Sequence, residues 1–475
     1  MLRNYFRVAF RNILKHKFFS AINIAGMAIG ITSCLLIVLY VADEMSYDKF
    51  HHDADRIYQV GLHGRLGGQD IMVANTCPPL AAALVNEVTA VEASTRIAQY
   101  FGQAVIKYED KAFTEQKVLY VDSNFFDFFN FKLIEGDPET ALTDPATVVI
   151  TKDMATKYFG DEPGMGKLFT IGNDNRSFKV TGVTENPPAN SHFTFHMLIS
   201  ASSADFLQST IWLNNFLYTY FKLHENASPD QVNDKYNELV EKYVGPEVER
   251  FMGTPLEEMR KQGGAYGYLS TKLTDIHLHS KVQGDVEPGG DITYVYLFAS
   301  IGVFIVIIAC INFMNLSTAR SAGRAKEVGL RKTLGSLRGQ MIGQFLAESM
   351  VYAFIAVVMA IVACYFLLPS FNLLSGKELG MQVLLSPRFI GSVIALVVFV
   401  GLVSGSYPAF YLTSFNAVEV LKGKVRAGMR SKAFAVCWWF CSSCCPLRLS
   451  FSPSLYISRF SSCTRKILDS TKTMS

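Results

Sequence analysis

Apolar and polar positions divide the chain into two kinds of territory. Residues 18–42, 292–319, 345–374 and 389–415 are apolar and nearly free of charge for long enough to cross a bilayer as helices, for which roughly 20 residues suffice. Between the first and second of these the pattern changes to short alternations. Residues 147–150 read as a strand, Lys152–Phe159 as a helix, 160–166 as a Gly/Pro-rich turn, and Leu168–Ile171 and 178–184 as strands stopped by Pro187-Pro188. Helical periodicity returns at 229–243. The mixture predicts an α+β domain in two lobes. Ahead of the first apolar stretch, Arg3, Arg7, Arg11 and Lys15 recur every four residues, with Leu2, Phe6, Phe10, Leu14 and Phe18 one position earlier. On a helix over residues 1–17 these make adjacent cationic and apolar stripes suited to a membrane surface. A basic flank that only sets orientation accounts for the same residues equally well.

The predicted architecture is an α-helical membrane protein with four transmembrane helices and an α+β extracytoplasmic domain, residues 43–291, inserted between helices 1 and 2. Charge supplies the orientation. Residues 43–291 hold 21 Lys/Arg against 36 Asp/Glu, leaving 23 against 5 for the rest of the chain. The cations cluster before the first span, after the second (Arg320, Arg324, Lys326, Arg331, Lys332, Arg338) and after the fourth (Lys422, Lys424, Arg426, Arg430, Lys432), whereas the link 375–388 has only Lys377 and Arg388. Cations gather on the cytoplasmic side. Both termini and the segment 320–344 are therefore expected inside, and the acidic middle outside. The first span is too long for a cleaved leader and closes on Asp43-Glu44 with no convincing cleavage site, so it reads as an uncleaved anchor. Cys77 is the single cysteine of the acidic middle, so that domain folds without an internal disulfide. The basic segments carry no aromatic-interleaved patch or recognition motif, which argues against nucleic acid.

The segment after the second span runs Cys310-Ile-Asn-Phe-Met-Asn-Leu-Ser-Thr-Ala-Arg-Ser-Ala-Gly-Arg-Ala-Lys-Glu-Val-Gly-Leu-Arg-Lys-Thr-Leu-Gly-Ser336. It resembles the signature of the MacB/FtsX-type ABC transporter permeases, in which an Asn-Leu-x-Thr-Ala run leads into Lys-Glu-[Ile/Val]-Gly-[Leu/Ile]-Arg-Lys-x-Leu-Gly. Gly405-Ser-Tyr-Pro-Ala409 with Leu421-Lys-Gly423, the opening Arg11 to Ser20 with Asn23 to Gly30, and Val148 to Gly160 with Val180-Thr-Gly-Val183 are similar to other parts of that family. The resemblance covers residues 1 to about 430. It implies a four-span permease of a bacterial inner membrane, a homodimer or half of a pseudo-dimer. It implies a separate or fused ABC ATPase that supplies ATP and magnesium, and a periplasmic adaptor or outer-membrane channel as a further partner. Peptide, lipid-linked or drug-like molecules are the substrates to expect, moved by export or mechanotransmission. The alternative is a regulatory protein that controls a periplasmic cell-wall hydrolase or an envelope stress response.

Within that signature, Lys326, Glu327, Val328, Gly329, Leu330, Arg331, Lys332, Leu334 and Gly335 are the candidate docking element. A short amphipathic helix is expected to turn Val328, Leu330 and Leu334 toward an apolar cleft of the ATPase while Glu327, Arg331 and Lys332 reach its rim. A positive-inside loop is the plainer reading of the same charges. The nearest approach to a nucleotide-binding loop, Asp161 to Leu168, lacks the leading Gly and has Leu168 where Ser or Thr should hold magnesium, so the chain itself is expected to be no enzyme. His51-His52, His192 with His196 and His277 with His279 are weak metal candidates: spacing of two suits a strand face and spacing of four a helix face, but no third ligand follows. No metal or cofactor is expected on this chain. In the tail 416–475, five Cys and many Ser replace the pattern from about residue 435 onward, and that part, with Cys437, Cys441, Cys444 and Cys445, reads as the product of truncation or a frame change rather than as a zinc site.

Overall fold

The computed structural model describes residues 2–414 except 67, 173–175, 320 and 381–385. The chain separates into two compact units, residues 1–316 with 346–406, and residues 317–345 with 407 onward. The first begins with helices α1 (Leu2–Lys15) and α2 (Lys17–Glu44). An α+β region follows in the order β1 (Ile57–Leu66), β2 (Gln69–Val73), α3 (Leu80–Glu87), β3 (Val91–Gln99), β4 (Ala104–Tyr108), β5 (Lys111–Glu115), β6 (Val118–Val121), α4 (Phe125–Phe129), β7 (Leu133–Glu135), β8 (Thr147–Thr151), α5 (Lys152–Phe159), β9 (Leu168–Ile171), β10 (Arg176–Thr184), β11 (Met197–Ser200), β12 (Tyr218–Leu223), α6 (Pro229–Leu239), α7 (Gly245–Met252), α8 (Leu256–Lys261), β13 (Ala265–Lys272) and α9 (Leu273–His279). The remaining helices are α10 (Ile292–Ala319), α11 (Ser321–Thr333), α12 (Arg338–Ser375) and α13 (Pro387–Ser414).

The two lobes expected from sequence are one hydrogen-bonded sheet. Its order is β13-β1-β12-β3-β6-β11-β8-β10-β9-β4-β5, with β2 beside β1 and β7 beside β10. Most neighbours are antiparallel, but β8 pairs with β10, and β6 with β11, in parallel. Continuous apolar runs such as 147–151 arise because these central strands are buried on both faces. Val149 enters the core formed with Phe125, Phe129, Phe193 and Tyr220, while Val148 and Ile150 enter another with Tyr158, Phe169 and Val180. A third core holds Leu80, Leu84, Phe221, Val232, Tyr236 and Val244. Strand alternation thus feeds different cores from one strand.

Helix α6 shows how local sequence sets an element. Ser228 is its N-cap, with Pro229 in the first turn and Gln231 completing a capping box. It ends at Leu239, and residues 240–244 continue as a wider π turn, so the periodic segment 229–243 is not one regular helix.

In the same unit, α2, the bulk of α10, the later part of α12 and the earlier part of α13 pack around Ile24, Met27, Ile31, Leu35, Val306, Cys310, Ala353, Ala356 and Val400. Outward positions such as Val303, Phe304, Phe366 and Phe399 are exposed and apolar, the surface that a helix presents to lipid. Helix α12 has 38 residues, about 57 Å at 1.5 Å per residue, nearly twice the hydrocarbon thickness of roughly 30 Å. It therefore continues well outside the apolar layer. Two polar contacts fix the N-terminal helices against it: Asn12 Nδ2 donates to Glu348 Oε1 at 3.1 Å, and the Ser20 and Tyr352 hydroxyls are 2.8 Å apart.

Candidate functional site

The candidate docking element is built in the second unit by α11 and the turn into α12. Helix α11 stops in a Schellman turn, in which the Ser336 N–H donates to Arg331 O at 3.0 Å and the Gly335 N–H to Lys332 O at 3.1 Å. Gly335 has φ +88°, a conformation that costs a residue bearing Cβ. Glu327 and Arg331, four apart on one face, pair at 2.6 Å. The other arm of Arg331 donates to Gln344 Oε1 at 2.7 Å, and Lys332 Nζ donates to Thr413 O at 2.7 Å. These bonds brace the turn from the starts and ends of the neighbouring helices.

The apolar face differs from expectation. Val328 is only 4% exposed, and Gly329 is buried beside it, whereas Leu330, Leu334 and Leu337 are 54%, 78% and 67% exposed. Residues two apart on a helix are about 200° apart, so Val328 and Leu330 cannot share a face, while four apart leaves Leu330 and Leu334 nearly aligned. Val328 anchors the helix and the three leucines form its free apolar surface, rimmed by Glu327 and Arg331. Leu337, which follows the Gly335 turn, is exposed as well and was not singled out from the sequence, since helical spacing does not carry across the turn. Lys326 lies within α11.

In the first unit, α1 carries Arg3, Arg7, Arg11 and Lys15. Arg7, Arg11 and Lys15 are exposed, and so are Phe10 and Leu14 beside them, while Ala9 and Ile13 turn inward. From Arg7 to Lys15 the two stripes are exposed together.

Two other sequence candidates resolve differently. Lys167 of the loop-like segment 161–168 pairs with Glu162 and sits over the Phe159 ring at 4.6 Å, and the chain continues into β9 instead of a helix. A phosphate cradle needs a helix N-terminus there. The histidine pairs lie on other elements than their spacing implied: His277 and His279 are on helix α9, and His192 and His196 are in an irregular segment. His192 is buried with Nδ1 2.8 Å from Asp48 Oδ1 and Nε2 2.9 Å from the Tyr220 hydroxyl. His277 donates to Glu44 at 2.8 Å. Each works as a structural hydrogen-bond partner, and no group of three or more potential metal ligands gathers among the described residues. The cysteine-rich tail, 416–475, falls outside the described residues.

Among the described residues, four long apolar helices, together with an α+β region between the first and second in chain order, define a multi-pass membrane protein with a folded domain outside the lipid. Comparison with known proteins gives the family. Residues 20–239 match the MacB-like periplasmic core domain, and residues 299–417 match the FtsX-like permease C-terminal domain. The chain is 27% identical over 277 residues to the macrolide export ATP-binding/permease protein MacB of Bdellovibrio bacteriovorus, covering 58% of this chain and 38% of that protein. It is 20% identical over 431 residues to the ABC transporter permease YvrN of Bacillus subtilis, covering 88% of this chain and 99% of YvrN. A domain of a permease protein from Porphyromonas gingivalis superposes with a TM-score of 0.40 at 26% identity, covering 47% of this chain and 91% of that one. The chain belongs to the MacB/FtsX-type ABC transporter permeases.

Proposed function

We propose that the protein couples ATP hydrolysis by a partner ATPase to motion of its extracytoplasmic domain. The exposed Leu330–Leu334–Leu337 surface carries this reading. Exposed leucines beside a charged pair, on a turn braced by four hydrogen bonds, have the form of a helix-in-groove ligand. The cation distribution supports a cytoplasmic position for this segment and for both termini, with residues 43–291 on the periplasmic side of an inner membrane. ATP and magnesium belong to the partner in this scheme. The side-by-side exposure of Arg7, Arg11 and Lys15 with Phe10 and Leu14 supports a helix lying in the headgroup layer.

The relatives suggest what the motion drives. MacB is named for macrolide export, and export of drug-like, peptide or lipid-linked molecules by a homodimeric assembly, with or without transit between the spans, is the activity proposed here. The test is co-purification of an ATPase with the full chain from native membranes. Leu334→Asp is expected to abolish the association while leaving the protein folded. Unchanged association would reject the docking surface, and labelling that found residues 43–291 in the cytosol would reject the whole scheme.

A further inference from the structure

At the base of the extracytoplasmic domain, within the first unit, four side chains from distant parts of the chain close a ring. Lys377 follows α12 and leads into the link toward α13. Its ammonium reaches Glu44 Oε1 at 2.7 Å, Asp43 Oδ2 at 3.1 Å and the Tyr47 hydroxyl at 2.9 Å, which occupies all three of its donors. The second oxygen of Glu44 accepts from His277 Nε2 at 2.8 Å. The His277 ring in turn stacks on Tyr47 with centroids 3.4 Å apart and planes 3° from parallel. Glu44 and His277 are buried, and Lys377 is nearly so. Burial works against the Lys377 ammonium, but its bonds to Glu44, Tyr47 and Asp43 lift its pKa above the usual lysine range.

The members stand at the roots of several elements. Asp43 and Glu44 end α2, Tyr47 starts the path into the sheet, and His277 is on the last helix of the domain. Gly290, two residues before α10, lies so close that a Cβ there would stand 2.8 Å from Glu44 Oε2 and 3.2 Å from His277 Nε2. Lys377 itself is held from behind, because Asn372 bridges to both the N–H and the carbonyl of Leu379 and accepts the Lys377 N–H at its own carbonyl.

We infer that this ring is a joint that makes the link after α12 and the two roots of the extracytoplasmic domain move as one body. Lys377 is its positioning residue. A displacement of α12 then pulls on α2 and on α9 at once through bonds that are short, charged and shielded from water, with Gly290 packed against them. The joint takes its functional meaning from the coupling scheme above, but its existence can be tested with no ATPase present.

The experiment is hydrogen exchange with mass spectrometry on the full chain in lipid nanodiscs. Lys377→Met keeps the aliphatic stem and deletes the three bonds. It is expected to raise exchange at least tenfold in peptides covering 45–54 and 273–280, with peptides covering 147–184 unchanged. Lys377→Arg is expected to restore most of the protection. An increase confined to 376–380 would overturn the joint, and so would an equal increase throughout the sheet, which would make Lys377 an ordinary stability determinant. Tyr47→Phe, which removes one hydroxyl and keeps the stacked ring, provides the second reading: about threefold faster exchange at 273–280 is expected, and no change there would overturn the inference.

Discussion

Glu44 and His277 are separated by 233 residues and meet at 2.8 Å in a buried contact. The carboxylate can only accept, so the imidazole Nε2 must carry the proton it donates. The contact closes the extracytoplasmic domain, because Glu44 is where the chain enters it and His277 is where the chain leaves. Glu44→Ala would strand the buried His277 without its acceptor and take from Lys377 the nearest of its three, at a cost of about 3 kcal/mol or more. Thermal unfolding in detergent is expected to show a clear fall for Glu44→Ala and a smaller one for Glu44→Gln. Equal melting temperatures for all three proteins would contradict the assignment.

Val328 and Leu334 should separate stability from docking. Val328→Ala removes buried methyl groups and is expected to cost about 1–2 kcal/mol. Leu334→Asp alters an exposed side chain and is expected to change stability by less than about 0.5 kcal/mol while it removes ATPase association. Measuring melting temperature and co-purification on both variants checks this; the reverse pattern would place the docking face on the other side of α11.

At Gly335 a Cβ meets nothing within 4 Å, so the cost of substitution comes from φ +88° alone. Gly335→Ala is expected to weaken the Schellman turn by about 1 kcal/mol, and Gly335→Asn by less. The Ser336 amide, which donates to Arg331 O, should exchange about fivefold faster in the alanine variant. Exchange no faster than in the parent would show that the turn is held by Arg331 and Lys332 instead.

Phe125, Phe129, Phe193 and Phe195 are buried in one aromatic cluster, with Phe125 and Phe131 stacked at 5.6 Å. Phe125→Ala is expected to cost about 3–5 kcal/mol, visible as rapid proteolysis of the extracytoplasmic domain in intact membranes. Resistance equal to that of the parent would mean that the core collapses around the gap.

His51 gives a pH dependence of known sign. Burial pushes its pKa down to about 4, against the attraction of Asp48. The unfolded chain, with an ordinary value near about 6.5, therefore takes up the proton first, and stability falls as pH drops from about 6.5 toward 4, by up to about 1.4 kcal/mol per unit. Asp48, His192 and His52 act on the same ring. Burial opposes protonation of His192 too, but Asp48 raises its pKa overall, so its contribution has the opposite sign and is lost as pH rises. His51→Gln is expected to flatten the acid limb of the melting profile and leave the alkaline limb unchanged. Parallel profiles for variant and parent would exclude His51 as the source.

Local pattern made much of the architecture legible. The spans follow from length without charge, because unpaired charge and backbone polarity are both costly in hydrocarbon. The strand and helix at 147–159 follow from a short run of β-branched residues and from a period of 3.6, and helical periodicity from 229 marked the start of α6. The segment 326–335 stands out in sequence as an ordered motif, but the burial of Val328 follows only when the helix is turned through about 100° per residue.

What the sequence by itself determined is therefore what neighbours along the chain decide: apolar length, alternation, caps, and the ordered motif that marks the family. The merging of the expected lobes into one sheet, the burial of Val328, and the ring of Glu44, Tyr47, His277 and Lys377 were decided by tertiary structure alone. Such contacts depend on which distant surfaces exclude water together, and Lys377 carries no local mark that distinguishes a cation in a short loop from one enclosed by three oxygens some 330 residues away.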